Sequence, residues 1–371
     1  MTTAWRAPGR VNLIGEHTDY NGGYVLPLAI EQGCTATARA LTEPTVAITS
    51  TQRAHRVQSG LAELSPGAVI GWAAYPAGSV WAVRESGRSV PGLRVHIDSN
   101  VPVGAGLSSS AAVVCSVTAA VAEEAGDPAE ADELVALALR AETEFVGAPT
   151  GGMDQLASVK CEAGHVLLCD MRSLETESVP FDPAGAGLAL LVADTHAPHR
   201  NADGEYGDRR QACHRAAAVL GVELLRDVGV AGLDDATAKL RAATPGDDTL
   251  LRRARHVVTE NARVLETAAL LRAGDISAIG PLLLASHRSM RDDFEITVPE
   301  VDTAVETAMA AGAVGARMTG GGFGGCVIAL VGADDVARVS DTIREAFAGR
   351  GFTEPTFFVA KAARGAYRLK V

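Results

Sequence analysis

The sequence predicts an α+β fold of two lobes, and three observations lead to this prediction. The chain has 371 residues, which suggests two domains or one large domain with two lobes. Apolar residues make up 47% of the chain, enough to build sizeable cores. Strand-like and helix-like segments are mixed without the regular alternation of βαβ units. We therefore expect mixed sheets and helices rather than a doubly wound parallel sheet.

Hydrophobic periodicity predicts the individual elements. Residues 93–98 alternate apolar and polar side chains, as a half-buried strand does. The predicted strands are residues 46–50, 93–98, 165–170, 188–194, 326–331 and 355–360. The predicted helices are residues 111–125, 128–145, 205–220, 250–272, 299–311 and 334–348. Asp127 and Pro128 are expected to open the second helix, and Gly126 and Gly312 to end the helices before them.

A turn-rich stretch, residues 180–187, marks the expected boundary between the lobes. It holds two prolines and two glycines between strand-like segments. Such compositions are typical of domain boundaries. We therefore predict an N-terminal lobe of residues 1–182 and a C-terminal lobe of residues 183–371.

The charge balance limits the partners of the protein. Lys and Arg total 33 against 45 Asp and Glu, a formal net charge of −12 at pH 7. Nucleic acids and acidic membranes carry charge of the same sign, so we expect neither as a partner. Residues 99–122 lack any charge, but Pro102, two glycines and several hydroxyl groups make them too polar and broken for a membrane helix.

The six cysteines form no C-x-x-C pair, so the sequence shows neither a zinc site nor a thioredoxin-like motif. Most are flanked by apolar residues, which predicts buried free thiols in a reducing compartment. The first residues contain no apolar segment typical of a signal peptide. We therefore expect a cytoplasmic protein.

The first of three glycine-rich segments is residues 9–23. It holds a guanidinium, two carboxylates, an imidazole and amide groups between glycines. A sugar site needs such a lining, with many short donors and acceptors on tight turns that each contact one hydroxyl. A polar surface loop and a metal site of Glu16, His17 and Asp19 remain alternatives.

The second segment, residues 102–112, follows a predicted strand and precedes a predicted helix. Its glycines let the backbone approach a phosphate, and the helix N-terminus presents unpaired N–H groups and a positive dipole end. Its serines add donors or a metal ligand. It lacks the Gly-Lys-Ser/Thr of a Walker A loop and the third glycine of G-x-G-x-x-G, so by itself it indicates phosphate binding only weakly.

The third segment, residues 318–326, lies at the start of a predicted strand, and five of the six residues from 320 to 325 are glycine. A structural turn usually needs one or two glycines. We therefore expect this backbone to pack very closely against another part of the molecule.

In their order and spacing, the three segments resemble the signature motifs of the GHMP small-molecule kinases. Residues 9–21 resemble the galactokinase signature, and the similarity continues through residues 152–155, 257–263 and 290–295, so it covers nearly the whole chain. The resemblance implies the two-lobed GHMP kinase fold with the active site in the cleft between the lobes. It also implies transfer of the γ-phosphoryl group of ATP to the C1 hydroxyl of D-galactose with Mg²⁺. We expect D-galactose and ATP as partners, and a monomer.

The resemblance also implies roles for individual residues. Asp154 would be the general base, and Arg10 would pair with it and stabilise the developing charge. The residues that would bind galactose are Glu16, His17, Thr18, Asp19 and Tyr206. The residues that would enclose the ATP phosphates are Gly104, Ala105, Gly106, Leu107, Ser108, Ser109 and Ser110. Ser110 and Glu142 would hold Mg²⁺.

At Glu142 and Gly152, the interpretation depends on comparison with the family pattern. Glu142 and Glu144 flank the apolar stripe of one predicted helix on opposite sides, so periodicity does not distinguish them. Glu142 is chosen because it lies twelve residues before Asp154, as in the family. Gly152 stands where the family often has a bulkier apolar residue, and it is a candidate cause of a looser sugar pocket.

Several alternatives remain open. A kinase of a related sugar, such as N-acetylgalactosamine or arabinose, would keep all three segments and change the pocket. A galactose-sensing regulator without turnover would lose part of the phosphate loop, whereas Ser109 and Ser110 are present here. Mevalonate or homoserine kinase would share the second and third segments but lack Glu-His-Thr-Asp. The intact loop therefore favours an enzyme.

Overall fold

The structure, a computed structural model, describes residues 2–148, 150–197 and 202–370. Its strands are β1 (Thr3–Asn12), β2 (Tyr24–Val25), β3 (Pro27–Leu41), β4 (Thr45–Ser50), β5 (Arg53–Gly60), β6 (Gly92–Ser99), β7 (His165–Asp170), β8 (Thr176–Pro180), β9 (Leu188–Asp194), β10 (Gly315–Thr319), β11 (Cys326–Gly332), β12 (Thr356–Ala360) and β13 (Tyr367–Arg368). Its α-helices are α1 (Ala74–Glu85), α2 (Ser109–Glu124), α3 (Ala131–Arg140), α4 (Met153–Lys160), α5 (Ala202–Leu220), α6 (Leu233–Ala243), α7 (Thr249–Arg272), α8 (Gly280–Ser289), α9 (Pro299–Ala310) and α10 (Val336–Arg350). Two π-helical turns continue α3 and α8, at Ala141–Val146 and Met290–Phe294.

The strands of the described residues form three sheets. The six-stranded sheet has the order β13-β1-β3-β6-β4-β5, the four-stranded sheet β10-β11-β9-β12, and the three-stranded sheet β2-β7-β8. The pair β4 and β6 is parallel and the other recorded pairs are antiparallel. The predicted α+β fold is confirmed.

The helices cover the sheets and supply the cores. Helix α2 packs on β1 and β3 and against α1, while α8 and α9 pack on β10. Most side chains of α2, including Ala112 and Val117, are fully buried. This burial explains why residues 111–122 carry no charge, since an unpaired buried charge is costly.

The predicted strands all occur, and β7 and β9 have the predicted bounds. The predicted opening of the helix at residue 128 is wrong. Helix α3 begins at Ala131 after the capping residue Glu130. The Arg88 guanidinium donates to the Asp127 carbonyl at 2.8 Å and lies 3.2 Å from the Asp127 carboxylate. These contacts hold Asp127 in the loop between α2 and α3. Gly126 and Gly312 end α2 and α9 with φ angles of 80° and 88°, as expected.

The first glycine-rich segment begins in a strand rather than on tight turns. Residues 9–12 are the last four residues of β1, which the sequence did not predict. Pro8 and Gly9 are uncommon in strands, and here they coincide with a shift in the β1–β3 register between Pro8 and Arg10. Because of Pro8, Gly9 and this register shift, the residues of β1 lack the regular pattern from which strands are predicted.

The sheets draw their strands from different parts of the chain. All four strands of the β10-β11-β9-β12 sheet follow residue 183, whereas β13 returns from the C-terminus to pair with β1. The division of the chain at residue 182 stays a prediction. The six cysteines are free and buried, as predicted, while the reducing compartment stays a prediction. Among the described residues no helix is both long and apolar enough to span a membrane.

Candidate active site

One cavity brings together residues of all three glycine-rich segments. The strand end of β1, the turn after it and the start of α4 form one side, and α5 and the third segment form the other. The residues that line it are Arg10, Glu16, His17, Asp19, Gly106, Ala148, Thr150, Met153, Asp154, Tyr206, Gly321, Gly322 and Phe323. Most of the residues expected to bind sugar or act in catalysis therefore lie in one place.

Arg10 and Asp154 form an ion pair in this cavity. Nη2 of Arg10 lies 2.8 Å from Oδ1 of Asp154, which stands in the first turn of α4. Nη1 of Arg10 donates to the Gly106 carbonyl, and its backbone N–H donates to the Leu107 carbonyl at 3.1 Å. The guanidinium is almost fully buried. Arg10 therefore connects Asp154 directly to the second glycine-rich segment.

Glu16 is held from behind the cavity. Its Oε1 accepts the Gly320 N–H at 2.8 Å and lies 3.5 Å from the guanidinium of Arg317. Burial raises the pKa of Glu16, and Arg317 and Arg10 act against that rise. Glu16 thus ties the first segment to the third.

His17 lies in the left-handed region, with a φ angle of 60°. Its Nδ1 is 2.8 Å from the Tyr20 hydroxyl and its Nε2 is 2.9 Å from the Gly321 carbonyl. Burial lowers its pKa to about 3, so the ring is neutral. Both ring nitrogens have protein partners, and within the described ranges no group of three or more His, Cys, Asp or Glu is arranged to hold a metal. The metal-site alternative has no support.

Asp19 and Tyr206 both line the cavity near His17. Burial, together with the nearby Asp154 and Glu16 carboxylates, raises the pKa of Asp19 to about 6. Burial, together with the carboxylates of Asp19, Asp154 and Glu16, raises the pKa of Tyr206 well above its ordinary value. The Tyr206 ring packs against the His17 ring, with centroids 4.9 Å apart. This side of the cavity is therefore acidic and rich in hydrogen-bonding groups.

Thr18 does not line the cavity, although the resemblance placed it with the sugar ligands. It is fully buried, and its hydroxyl lies 2.9 Å from the Gly15 carbonyl and 2.6 Å from the Tyr24 carbonyl. The Thr18 side chain therefore stabilises the turn through hydrogen bonds to its backbone. Thr18 shapes the segment that carries Glu16, His17 and Asp19.

The second segment leads into the N-terminus of α2. Gly104 and Gly106 have φ angles of 79° and 73°, and Ser108 precedes the helix at 57°. Glycine is the residue that adopts such angles without strain. The Ser108 hydroxyl is buried and has no hydrogen-bond partner among the described residues. The helix N-terminus and this hydroxyl together offer donors to an anion.

The third segment packs on the second, as its glycines predict. A Cβ at Gly320 would lie 2.9 Å from the Gly106 carbonyl oxygen, and one at Gly325 would lie 3.1 Å from that of Ala105. Any larger residue would push the two segments apart. The missing side chains therefore bring the third segment against the phosphate loop, where it also contributes Gly321 to the cavity wall.

Glu142 and Glu144 separate clearly in the structure. Glu142 is buried, hydrogen-bonds the Ser110 hydroxyl, and accepts from Nε2 of Gln155 at 2.5 Å. Burial raises its pKa to about 7. Glu144 is half exposed and pairs with Arg140 at 2.9 Å. Both lie in the π-helical turn, whose wider winding differs from the 3.6-residue period assumed for the sequence.

Sequence reasoning missed several residues of the site. Thr150 and Phe323 line the cavity without belonging to an expected ligand set. Arg317 and Glu260 are fully buried behind it, and Glu260 accepts the Gly15 N–H at 3.0 Å. The one available signal was a single arginine within the otherwise uncharged strand β10.

Comparison with known proteins agrees with this architecture. Residues 74–162 match the GHMP kinases N terminal domain, residues 267–349 the GHMP kinases C terminal domain, and residues 2–40 the galactokinase galactose-binding signature. The Methanococcus jannaschii mevalonate kinase superposes with a TM-score of 0.69 at 16% identity, covering 97% of this chain and 98% of that one, which shows the shared fold. Fold and site thus define a small-molecule kinase of the GHMP class.

Closer relatives narrow the class. The galactokinase of Streptomyces coelicolor is 48% identical over 367 residues, which span 98% of this chain and 94% of that protein. The galactokinase of Mycobacterium tuberculosis H37Rv is also 48% identical, over 99% of both chains. The crystal structure of Lactococcus lactis galactokinase complexed with galactose superposes with a TM-score of 0.93 at 32% identity, covering 99% of this chain and 95% of that one. The chain belongs to the galactokinase family.

Proposed function

We propose that this protein transfers the γ-phosphoryl group of ATP to the C1 hydroxyl of D-galactose, giving galactose 1-phosphate and ADP. Membership of the family gives the class of activity, an ATP-dependent sugar kinase. The observation that carries the proposal for this chain is the Arg10–Asp154 ion pair, which joins the cavity of the first segment to the phosphate loop at Gly106.

Asp154 acts as the general base in this proposal. Its carboxylate accepts the proton of the sugar hydroxyl while the hydroxyl oxygen bonds to the γ-phosphorus, and the bond from the γ-phosphorus to the bridging oxygen breaks to release ADP. Phosphoryl transfer leaves little covalent chemistry to the protein, so positioning and charge stabilisation dominate. The 2.8 Å contact with Arg10 holds the Asp154 carboxylate in a fixed orientation.

Arg10 serves the phosphate side of the reaction. One nitrogen of its guanidinium bonds Asp154 and the other bonds the Gly106 carbonyl, so the cation is fixed between base and phosphate loop. A fixed positive charge next to the transferred group stabilises the negative charge that develops there. The ATP phosphates lie along Gly104 to Ser110 and the start of α2, where helix N–H groups and serine hydroxyls donate to them.

The sugar is bound by the acidic side of the cavity. Asp19 and Glu16 offer carboxylate oxygens, and His17 and Tyr206 complete the wall around them. Carboxylates accept hydrogen bonds from sugar hydroxyls, and such charge-assisted bonds are stronger than neutral ones. Thr18 acts indirectly in this proposal, by holding the turn.

Glu142 and Ser110 fit a Mg²⁺ ion that accompanies ATP. They supply a carboxylate and a hydroxyl, the hard oxygen donors that Mg²⁺ prefers, and Mg²⁺ bound with nucleotide needs one or two carboxylates from the protein. Glu142 is buried, and no cationic side chain of the described residues pairs with it. When bound, the ion would neutralise charge on the ATP phosphates.

A panel of sugars with ATP and Mg²⁺ tests the proposed function. ADP release and the position of the new phosphate are measured for each sugar, and galactose should give the highest kcat/KM with phosphate at C1. A tenfold preference for another sugar, about 1.4 kcal/mol in transition-state binding, would reassign the substrate. Binding of ATP and galactose without product would identify a sensor rather than an enzyme.

We also propose that the protein is a monomer in the cytoplasm. The six buried free thiols are typical of a reducing compartment. The net charge of −12 gives no reason to expect a nucleic acid or an acidic membrane as partner.

A further inference from the structure

Gly151 touches the carboxylate of Asp19. A Cβ at Gly151 would lie 2.2 Å from Oδ2 of Asp19, 2.6 Å from its Cγ and 3.0 Å from its Cβ. Real Cβ atoms do not approach other atoms so closely, so the Asp19 carboxylate occupies the space that a side chain would need. Gly151 is not among the glycines with positive φ, so its backbone accommodates any residue. Its missing side chain therefore matters for Asp19 and not for the turn.

Gly152 is different, although it was the glycine that departs from the family pattern. It has a φ angle of 99° at the start of α4, a conformation that favours glycine for backbone reasons alone. A Cβ there would lie 3.4 Å from Leu139 and 3.9 Å from Met171, and neither residue lines the cavity. A Cβ at Gly152 would therefore meet no residue that lines the cavity, and the effect of Gly152 on the sugar pocket stays a prediction.

Asp19 has little freedom to move away from a new side chain as a whole. Its backbone belongs to the 3₁₀ turn Asp19–Asn21, in which the Gly22 N–H donates to the Asp19 carbonyl at 3.0 Å and the Gly23 N–H to the Thr18 carbonyl at 2.8 Å. Rotation of its side chain remains as the way to relieve the contact. Such a rotation would turn the carboxylate from its present direction in the cavity.

We propose that Gly151 is a positioning residue for galactose binding, because its bare Cα fixes the direction in which the Asp19 carboxylate faces the cavity. This inference rests on the proposed function, in which Asp19 accepts a sugar hydroxyl. Gly151 acts through Asp19, while the proton acceptor Asp154 lies on the next helix. A side chain at residue 151 should therefore weaken sugar binding and leave phosphoryl transfer nearly unchanged.

Gly151→Ala tests this directly, with Asp19→Ala and the double variant completing a cycle. We expect Gly151→Ala to raise the KM for galactose about 5- to 150-fold, the range for losing one buried hydrogen-bond partner, with kcat and the KM for ATP within about twofold of the original. Asp19→Ala removes both atoms of the closest contacts. In that background Gly151→Ala should therefore add no further rise in KM.

Gly349→Ala is the matched control. Gly349 lies near the end of α10 without positive φ, and a Cβ there would meet nothing within 4 Å. The control should leave every kinetic parameter unchanged. An unaltered galactose KM in Gly151→Ala, an equal fall in kcat, or additive effects in the double variant would each overturn the inference.

Folding and the proposed function are separated by two further measurements. If Gly151→Ala does not fold, the double variant with Asp19→Ala should recover the thermal unfolding midpoint, and failure to recover overturns the inference. The unaltered protein is assayed in parallel. If it neither binds nor phosphorylates galactose, the proposed function fails and the inference with it; if it does both and Gly151→Ala behaves like it, only the inference fails.

Discussion

The first glycine-rich segment carries carboxylates on two sides, and the protein treats the two sides in opposite ways. On the inner side, Glu260 accepts the Gly15 N–H and lies near Arg317, and one oxygen of Glu16, which also lines the cavity, accepts the Gly320 N–H beside the same arginine. On the cavity side, Asp19 lies near the carboxylates of Asp154 and Glu16. Among the described residues Asp19 forms no ion pair. One side is closed by the fold and the other is left open.

The pKa values of Glu260 and Asp19 are shifted in opposite directions. Burial would raise the pKa of Glu260, but Arg263 and Arg317 outweigh it and lower the pKa to about 2. For Asp19, burial and nearby carboxylates raise the pKa to about 6. Buried groups normally have partners within the protein, and perturbed, unpaired ones concentrate at functional sites. Glu260 therefore supports the site from behind, whereas Asp19 stays available to a ligand in the cavity.

The largest effect is expected at the reacting centre. Asp154→Asn should bind galactose and ATP nearly normally and lose about 10²- to 10⁴-fold in kcat, because the hydroxyl proton loses its acceptor. Arg10→Lys keeps the charge but not the planar fork, so it should lose less. Steady-state kinetics of both single variants and the double variant check this. The losses in kcat should not add in the double variant, since both residues act on one proton and one developing charge. Strict additivity would contradict a coupled pair. A fully active Asp154→Asn would exclude Asp154 as the base.

The inner side should respond through stability instead. Arg317→Met removes the cation beside the buried Glu16 and leaves Glu260 with Arg263 alone, so the free energy of unfolding should fall by about 3–5 kcal/mol. Arg344→Met is the matched control, because Arg344 is exposed and pairs with Asp341 at the surface. Such pairs contribute about 0–1 kcal/mol. Urea denaturation of the three proteins measures this, and equal losses for the two variants would remove the distinction between inner and surface pairs.

The metal-binding proposal separates two acidic residues of one turn. Losing a residue that supports a metal ligand typically weakens metal binding about 10- to 100-fold. Losing the ligand itself should cost no less, so Glu142→Ala should raise the Mg²⁺ concentration for half-maximal activity by at least about tenfold. Glu144→Ala should change it little, because Glu144 pairs with Arg140 at the surface. Titration of activity with Mg²⁺ at fixed ATP distinguishes the two. Similar shifts in both variants would mean that the wrong carboxylate was assigned.

The smallest effect concerns pH. With a pKa of about 6, Asp19 is ionised at pH 7 and takes up a proton as the pH falls through 6, so galactose should bind about tenfold more weakly at pH 5. Asp19→Asn should bind weakly at both values and lose this dependence. Calorimetric titration with galactose at pH 5 and 7 measures the change, and unchanged pH dependence in Asp19→Asn would assign the titration to another group.

The same shift has a consequence for stability with the opposite sign. The folded pKa of Asp19 lies above the ordinary value of 3.8, so between about pH 4 and 6 the folded state holds a proton that the unfolded state has lost. Ionisation of Asp19 therefore lowers stability as the pH rises through this window. Asp19→Asn should be at least as stable as the original protein at pH 7, in contrast to Arg317→Met, and thermal unfolding checks this.

Local patterns were enough to predict much of the protein. The strands β7 and β9, the helix ends at Gly126 and Gly312 and the close packing of the third segment follow from side-chain alternation and from glycine, which act over a few residues. The resemblance of the glycine-rich segments to a kinase family identified most of the residues expected to bind sugar or act in catalysis that meet in the cavity, although not Thr150 and Phe323, and it placed Thr18 there wrongly. These properties are written in consecutive residues and need no knowledge of the rest of the fold.

Other features were decided by contacts between distant parts of the chain. Glu16 meets Gly320 across 304 residues, and no local pattern announces that Arg317 will lie beside them. The choice between Glu142 and Glu144 depends on a π-helical turn, and the choice between Gly151 and Gly152 depends on where Asp19 stands. In each case the direction of a side chain is set by what packs against it. Only the tertiary structure holds that information, because burial and partners, rather than sequence spacing, determine which orientation has the lowest free energy.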